Sequence, residues 1–189
     1  MLKVGYALCG SFCTISRALS AAEELAGYCE LVPIVSANVK NTDTRFGTAA
    51  SVCERLSSLC GREIICTVEA AEPLGPAEPL DALVIAPCTG NTLAKLANGI
   101  TDSAVTMAAK AHLRQGRPLL IALASNDALS ANLKNVAALL NRKSVYFVPM
   151  AQDDPAKKPS SLVAEFGLVT EALNAALEGK QIYPVFRTV

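Results

Sequence analysis

The 189-residue sequence predicts an α/β protein built on a doubly wound parallel sheet. Three observations carry this. Apolar runs suited to strands buried on both faces alternate with helical patterns along the chain. Most of those runs close in a short polar turn that leads into a helix. No repeat or low-complexity segment interrupts the alternation, and 51% of the residues are hydrophobic, enough for a sizeable core in one domain spanning residues 1–189.

Lys3–Leu8 is the first strand. The turn Cys9-Gly10-Ser11-Phe12-Cys13-Thr14 follows, with Gly10 suited to a tight bend and Ser11 and Thr14 suited to capping an alanine- and leucine-rich helix that runs to about Gly27. Glu30–Ser36 is the second strand, leading into Ala37-Asn38. Val39–Phe46, with Lys40, Asn41, Thr42, Asp43, Thr44 and Arg45, is too polar for the core and reads as a loop. Gly47–Cys60 is a helix ended by Gly61. Ile64–Thr67 is a short strand, and Val68–Asp81, with Pro73, Gly75, Pro76 and Pro79, an irregular loop.

Ala82–Ala86 is a fully buried strand that Pro87 stops, because proline has no N–H to give to a ladder. Thr89, Gly90, Asn91 and Thr92 form a small polar cluster. The helix after it carries Leu93, Leu96 and Ala97 on one face and ends at Asn98-Gly99. Thr101-Asp102-Ser103 caps the next helix, Ser103–Gln115, which Gly116 and Pro118 stop. Its His112 is the chain's single histidine and reads as a core or surface residue rather than a catalyst. Leu119–Ala124 is a strand closing in Ser125-Asn126-Asp127. Asn132–Asn141 is a helix and Ser144–Pro149 a strand. After a loop opening on Gln152-Asp153-Asp154-Pro155, Leu162–Leu177 reads as one long helix. Ile182–Val189 reads as an extended tail that packs on the core or pairs with a partner.

Composition excludes several function classes. Formal net charge is zero, Trp is absent and aromatic residues are few, so neither a nucleic-acid footprint nor a base-stacking platform is indicated. The seven cysteines, at positions 9, 13, 29, 53, 60, 66 and 88, are odd in number and lie mostly in apolar or helical runs. That suits reduced thiols in a cytoplasmic core. Cys9 and Cys13 are not a CxxC pair, so no metal site is expected. The opening MLKVGYALCG is too short and too soon broken for a signal peptide or membrane span.

A strand, a small polar turn and a helix N-terminus together present unpaired N–H groups and hydroxyls to an anion, usually a phosphate. Four such turns, Cys9–Thr14, Ser36–Arg45, Pro87–Thr92 and Ser125–Asp127, follow strands and would define one rim at the strands' carboxyl ends. Neither the GxGxxG fingerprint nor a P-loop is present, so ordinary NAD or ATP sites are not indicated. The bland reading of each turn is a helix cap or a solvated connection. Cys88 sits inside one of these motifs, where a helix N-terminus can activate a thiol; a buried inert thiol is the bland alternative.

The stretch APCTGNTLAKLANGITD resembles the FMN-binding flavoproteins, the family of phosphopantothenoylcysteine decarboxylases and flavin prenyltransferases. Ala86, Pro87, Thr89, Asn91, Thr92, Ala94, Lys95, Ala97, Gly99, Ile100 and Asp102 match its pattern, and Gly10-Ser11 fits its turn after the first strand. Four further segments, 38–47, 71–76, 125–129 and 152–159, are similar to the dipicolinate synthase B-subunit branch of that family, and the similarity runs essentially the full length. The resemblance implies a Rossmann-like or flavodoxin-like α/β/α architecture. It also implies oxidation of a dihydrodipicolinate-level precursor, a small dicarboxylate, in the mother-cell cytoplasm of a sporulating bacterium, with NADP held by a separate A subunit. It further implies FMN contacts from Gly10, Ser11, Cys13, Ser36, Asn38, Pro87, Thr89, Asn91, Thr92, Lys95, Asp102, Ser125 and Asn126. Lys40, Arg45 and Asp127 are the candidates for the chemistry, the first two by pairing with substrate carboxylates.

Two features of the decarboxylases are missing. No histidine lies between positions 1 and 111, and Ser125-Asn126-Asp127-Ala128 stands where they carry a P-x-M-N substrate motif. Both departures argue against decarboxylation by the family route. Three alternatives stay open: a non-catalytic subunit with a vestigial nucleotide pocket, an FMN-dependent cysteine-type decarboxylase, and a substrate-binding module without redox chemistry. The alanine-rich helices Ala18–Ala26 and Ala104–Ala111 suit either homo-oligomer contacts or internal packing.

Overall fold

Four of the apolar runs form the centre of a seven-stranded sheet in the computed structural model, which describes residues 1–188. In chain order the elements are β1 (Leu2–Leu8), α1 (Ile15–Ala26), β2 (Cys29–Val35), α2 (Ala37–Asn41), α3 (Ala49–Cys60), α4 (Val68–Ala71), β3 (Ala82–Cys88), α5 (Gly90–Ala97), α6 (Ala104–Leu113), β4 (Leu119–Ser125), α7 (Leu133–Leu140), β5 (Val145–Phe147), β6 (Met150–Ala151), β7 (Leu162–Ala164) and α8 (Val169–Leu177). β1 lies between β2 and β3, β4 follows β3, and β5 pairs with the first half of β4, all parallel. The end of β4 pairs instead with antiparallel β7, which holds β6. The parallel order β2-β1-β3-β4-β5 reverses direction at β1, so a crevice opens between the carboxyl ends of β1 and β3.

Strand alternation sorts the core into two layers. Leu83, Ile85, Leu119 and Ile121 face α5, α6 and α7 on one side. Val4, Tyr6, Val84 and Leu120 face α1, α3 and α8 on the other. The buried Tyr6 hydroxyl is satisfied by donating to the Ala18 carbonyl of α1 at 2.6 Å. The alanine-rich faces are spent inside this core: Ala18 and Ala22 of α1, and Ala104, Ala108 and Ala109 of α6, are buried within the single chain.

Several expectations need correction. β3 does not stop at Pro87. It runs on to Cys88 because the bond required there is one proline can make: its carbonyl accepts from the Cys9 N–H at 3.1 Å, and the register against β4 shifts between Ile85 and Cys88. Ser11 and Thr14 make no capping bond. The chain enters α1 through a 3-10 turn, Phe12–Thr14, in which the Thr14 hydroxyl donates back to the Ser11 carbonyl. The first residues of the expected 39–46 loop are the helix α2, capped by Ser36 through the Val39 N–H. Ile64–Thr67 is not a strand; only Ile65 bridges, to Ile34. The expected irregular stretch 68–81 includes α4 and a short 3-10 turn, Glu72–Leu74.

The expected helix Leu162–Leu177 is split. Leu162–Ala164 is drawn into the sheet by the antiparallel end of β4, a 3-10 turn covers Phe166–Leu168, and only then does α8 begin. The tail packs on its own chain, with Phe186 bridging to Met150. Its last residue, Val189, lies outside the described residues.

Candidate functional site

The crevice is built from strand ends. At the end of β1 the chain bends through Cys9 and Gly10, and the Ser11 N–H donates to the Cys9 carbonyl at 2.9 Å. The Ser36 N–H donates to the Leu8 carbonyl, tying the end of β2 to that of β1. Gly10 then lies against Asn38: a Cβ at residue 10 would stand 3.2 Å from the Asn38 Cβ. Asn38 and Cys13 are exposed, while Gly10, Ser11 and Ser36 are half-buried. At the end of β3, Thr89 caps α5, its hydroxyl accepting from the Thr92 N–H at 3.2 Å. The N–H groups of Gly90 and Asn91 open that helix and have no intrahelical acceptor. Asn91 is exposed on the first turn. The Thr92 hydroxyl reaches back to the Cys9 sulfur at 3.3 Å, joining the β1 and β3 sides.

The β4 side is a closed network. Asp127 accepts from Ser125 through one carboxylate oxygen and from the Asn132 side chain at 2.9 Å through the other. Asn132 in turn accepts from Asn135 at 2.8 Å, and both asparagines are buried. Gly90 fits beneath this cluster because it has no side chain. A Cβ there would stand 2.5 Å from the Ser125 hydroxyl, 2.6 Å from the Asn132 amide nitrogen and 2.8 Å from the Asp127 carboxylate. The 152–160 loop closes this side, the Leu129 N–H donating to the Ser160 carbonyl at 2.9 Å.

The rim therefore gathers Gly10, Ser11, Cys13, Ser36, Asn38, Pro87, Thr89, Asn91, Thr92, Ser125, Asn126 and Asp127 at neighbouring strand ends. Lys95 and Asp102 are engaged elsewhere, in a two-oxygen ion pair at 2.8 Å that ties the last turn of α5 to the approach to α6. Lys40 is exposed at the end of α2 and lines a hollow with Cys53 and Glu54 of α3. Arg45 stacks on the Phe46 ring at 4.8 Å, in the turn closed by Thr44 and Gly47. Phe46 and Phe12 line the same small hollow, which keeps this turn beside the β1 end of the crevice.

Neither cysteine under the crevice is an activated nucleophile. Burial pushes the Cys9 thiol up to about 11, although Thr92 and Thr89 hydrogen bonds act the other way. Burial, and then the neighbouring Cys9, push Cys88 well above its ordinary value. Cys88 therefore follows the bland reading. His112 is buried, its Nε2 2.9 Å from the Pro118 carbonyl, and burial lowers its pKa.

Sequence reasoning missed Asn132 and Asn135, the floor of the β4 network, and the packing role of Gly90. The only signal was a polar residue at helix spacing (Asn132, Asn135) inside an otherwise apolar helical pattern. A cavity of about 760 Å³ lies away from the crevice, along the outer side of β5.

A family model described as Flavoprotein matches residues 4–171. The B subunit of dipicolinate synthase of Bacillus subtilis (strain 168) is 45% identical over 184 residues, covering 97% of this chain and 92% of its own length. Among solved structures, the dipicolinate synthase B subunit from Bacillus halodurans C superposes with a TM-score of 0.91 at 41% identity, over 99% of this chain and 96% of that one. The FMN-dependent cysteine decarboxylase SpaF shares the fold, with a TM-score of 0.71 at 23% identity over 94% of this chain and 96% of its own.

Proposed function

The chain belongs to the flavoprotein family, and on that premise we propose that it is the B subunit of a dipicolinate synthase that holds FMN in the β1–β3 crevice and works with a separate A subunit. The observation that carries this reading is the convergence of Gly10, Ser11, Thr89 and Asn91 at the reversal in strand order, with the first N–H groups of α5 beside them. The donor set suits a flavin phosphate: neutral hydroxyls and backbone N–H groups, a favourable helix dipole, and a glycine where a side chain would crowd the neighbouring loop.

Ser11 and the first N–H groups of α5, the helix that Thr89 caps with its hydroxyl already donating to Thr92 at 3.1 Å, would hold the phosphate, and Asn91 would hydrogen-bond the ribityl chain or the ring edge. FMN, when bound, supplies two-electron redox chemistry. Arg45, held over Phe46, would pair with a carboxylate of the dihydrodipicolinate-level substrate. Net oxidation to the aromatic diacid would remove a hydride and a proton; NADP on the A subunit would be the hydride acceptor and solvent would take the proton. The relatives' designation as B subunits supports a second, different subunit. The reading places the protein in the mother-cell cytoplasm during sporulation, as a homo-oligomer. No helix among the described residues is long and apolar enough to cross a membrane.

A second reading, a non-catalytic partner chain with a vestigial pocket, is favoured by one observation. Asp127 is spent on Ser125 and Asn132, Lys95 on Asp102, and Cys9 and Cys88 are buried with raised thiol pKa values. That leaves no acid–base group poised at the crevice among these four. Titration of the purified protein with FMN, followed by fluorescence quenching, separates the readings. Saturable binding that is lost in Asn91→Ala supports the flavin reading. No binding at about tens of micromolar FMN supports the vestigial one.

A further inference from the structure

The outer edge of the sheet carries a surface that the flavin reading does not use. β5 is an edge strand, and its free side is blocked by one side chain acting as a backbone: Gln181 accepts from the Phe147 N–H at 2.8 Å and donates to the Phe147 carbonyl at 2.7 Å. The chain beyond Gln181 then runs along this edge to Met150, whose N–H donates to the Val185 carbonyl. The result is a groove of about 760 Å³ between the α7–β5 turn and the tail. A second hollow of about 290 Å³ adjoins it, between the end of α5 and the outer face of α6. Arg142 lines both, its guanidinium donating to the Leu96 carbonyl at 3.4 Å.

Two features set this surface apart. Its charge is of one sign: Arg142, Lys143, Lys110 and Arg114 line the two hollows and, among the described residues, no carboxylate does, in a chain whose formal net charge is zero. Among the described residues none of these four cations forms an ion pair, although most exposed arginines elsewhere do. The surface also exposes large apolar side chains: Tyr183 is 80% exposed, Phe186 48% and Ile100 47%. Tyrosine, phenylalanine and arginine without acidic residues is the composition of a protein-binding patch, and a one-signed field selects a partner of the opposite sign.

We propose that this basic, aromatic edge is the docking surface for an acidic face of the second subunit. Polypeptide rather than small-molecule binding follows from the extent of the surface, which runs over two hollows and an exposed tail. An acidic partner follows from the four unpaired cations. Arg142 is the anchor, since the α5 carbonyl already fixes its position before any partner arrives. Tyr183 and Phe186 supply the apolar contact around it. This inference rests on the reading above that an A subunit exists, and it adds where that subunit sits.

The test measures binding of the purified A subunit from the same organism to this protein by calorimetry at low and raised salt. Wild type is expected to bind with an affinity that falls as salt is added. Arg142→Glu with Lys143→Glu is expected to weaken binding at least about tenfold, and Tyr183→Ala to weaken it with less salt dependence. Arg17→Glu, the same charge reversal as either single edge change but at an exposed position of α1, is expected to bind as wild type. Tyr183 and Lys143 make no side-chain hydrogen bond among the described residues, so their single variants keep the test informative if Arg142→Glu fails to fold. Wild-type binding that all edge variants retain would overturn the inference and leave the A-subunit reading standing. Edge variants that alter self-association while A binding is unchanged would assign the surface to a second copy and overturn it too. No binding of wild type to the A subunit would remove both the reading and the inference.

Discussion

At the end of β4 the polar groups are spent on one another. Asp127 takes bonds from Ser125 and Asn132, Asn135 supports Asn132, and Gly90 closes the space beneath them. At the end of β1, and at Asn38 beside it, the arrangement is the opposite. Ser11 makes no capping bond, Asn38 and Cys13 are exposed, and a Cβ at Gly10 would first meet the Asn38 and Phe12 side chains. Both halves read alike in sequence, as short polar turns after apolar strands. The difference teaches that a polar turn marks a ligand site only where its donors are left unpaired, because a satisfied buried network already has its hydrogen bonds and gains nothing from a ligand.

The sharpest way to break this contrast is to put one methyl group on each side. Gly90→Ala forces a Cβ into three polar atoms of the β4 cluster. We expect a loss of about 2–4 kcal/mol in urea unfolding, from overpacking together with broken hydrogen bonds. A loss under about 1 kcal/mol would mean the network yields freely and is not a scaffold. Next in size is Asp127→Ala, which strands the Ser125 hydroxyl and the Asn132 amide. About 1–3 kcal/mol should be lost, with the cost shared in a double-mutant cycle with Asn132.

The same contrast explains what could be read from the sequence. The central strands, most helix boundaries and the Gly61 and Gly99 stops follow from local chemistry, and both glycines have the positive φ such stops require. What was missed depended on partners distant in sequence. Pro87 continues a strand because Cys9, 78 residues earlier, needs only its carbonyl. Leu162–Ala164 has a helix-compatible pattern but is captured by the end of β4. Ser36, four residues ahead of Lys40, turns a polar stretch into a capped helix whose end carries Lys40 toward α3. In the site, the polar turns were legible. Which of them were already satisfied was not, since that depended on Asn132 and Asn135, from a helix the motifs do not include.

Gly10→Ala probes the open half. Its Cβ would meet Asn38 at 3.2 Å, a contact an exposed side chain can relax, so stability should change by less than about 1 kcal/mol. FMN affinity should nevertheless fall about tenfold or more, roughly 1.4 kcal/mol, because the added methyl stands where the phosphate would approach the backbone. Unchanged FMN binding would remove Gly10 from the cradle.

The smallest effect concerns His112, on α6, which packs on the same side of the sheet as the closed half. Burial lowers its pKa in the folded protein below the ordinary 6.5. Above that pH the residue is neutral in both states and contributes no pH dependence. As pH falls through about 6.5 the unfolded chain takes up a proton that the fold resists, so stability should drop and then level off below the folded pKa. Urea unfolding at a series of pH values should show this slope in wild type and a flatter one in His112→Gln. Equal slopes would assign the pH dependence to other groups.

The most direct test of the central claim, that the unpaired donors at the β1 and β3 ends are built for a flavin phosphate, is a paired fluorescence titration with FMN and with riboflavin, which lacks the phosphate. The account predicts saturable FMN binding, at least about tenfold tighter than riboflavin, consistent with charge-assisted hydrogen bonds to a phosphate. Equal affinity for the two, or binding of neither, would contradict it.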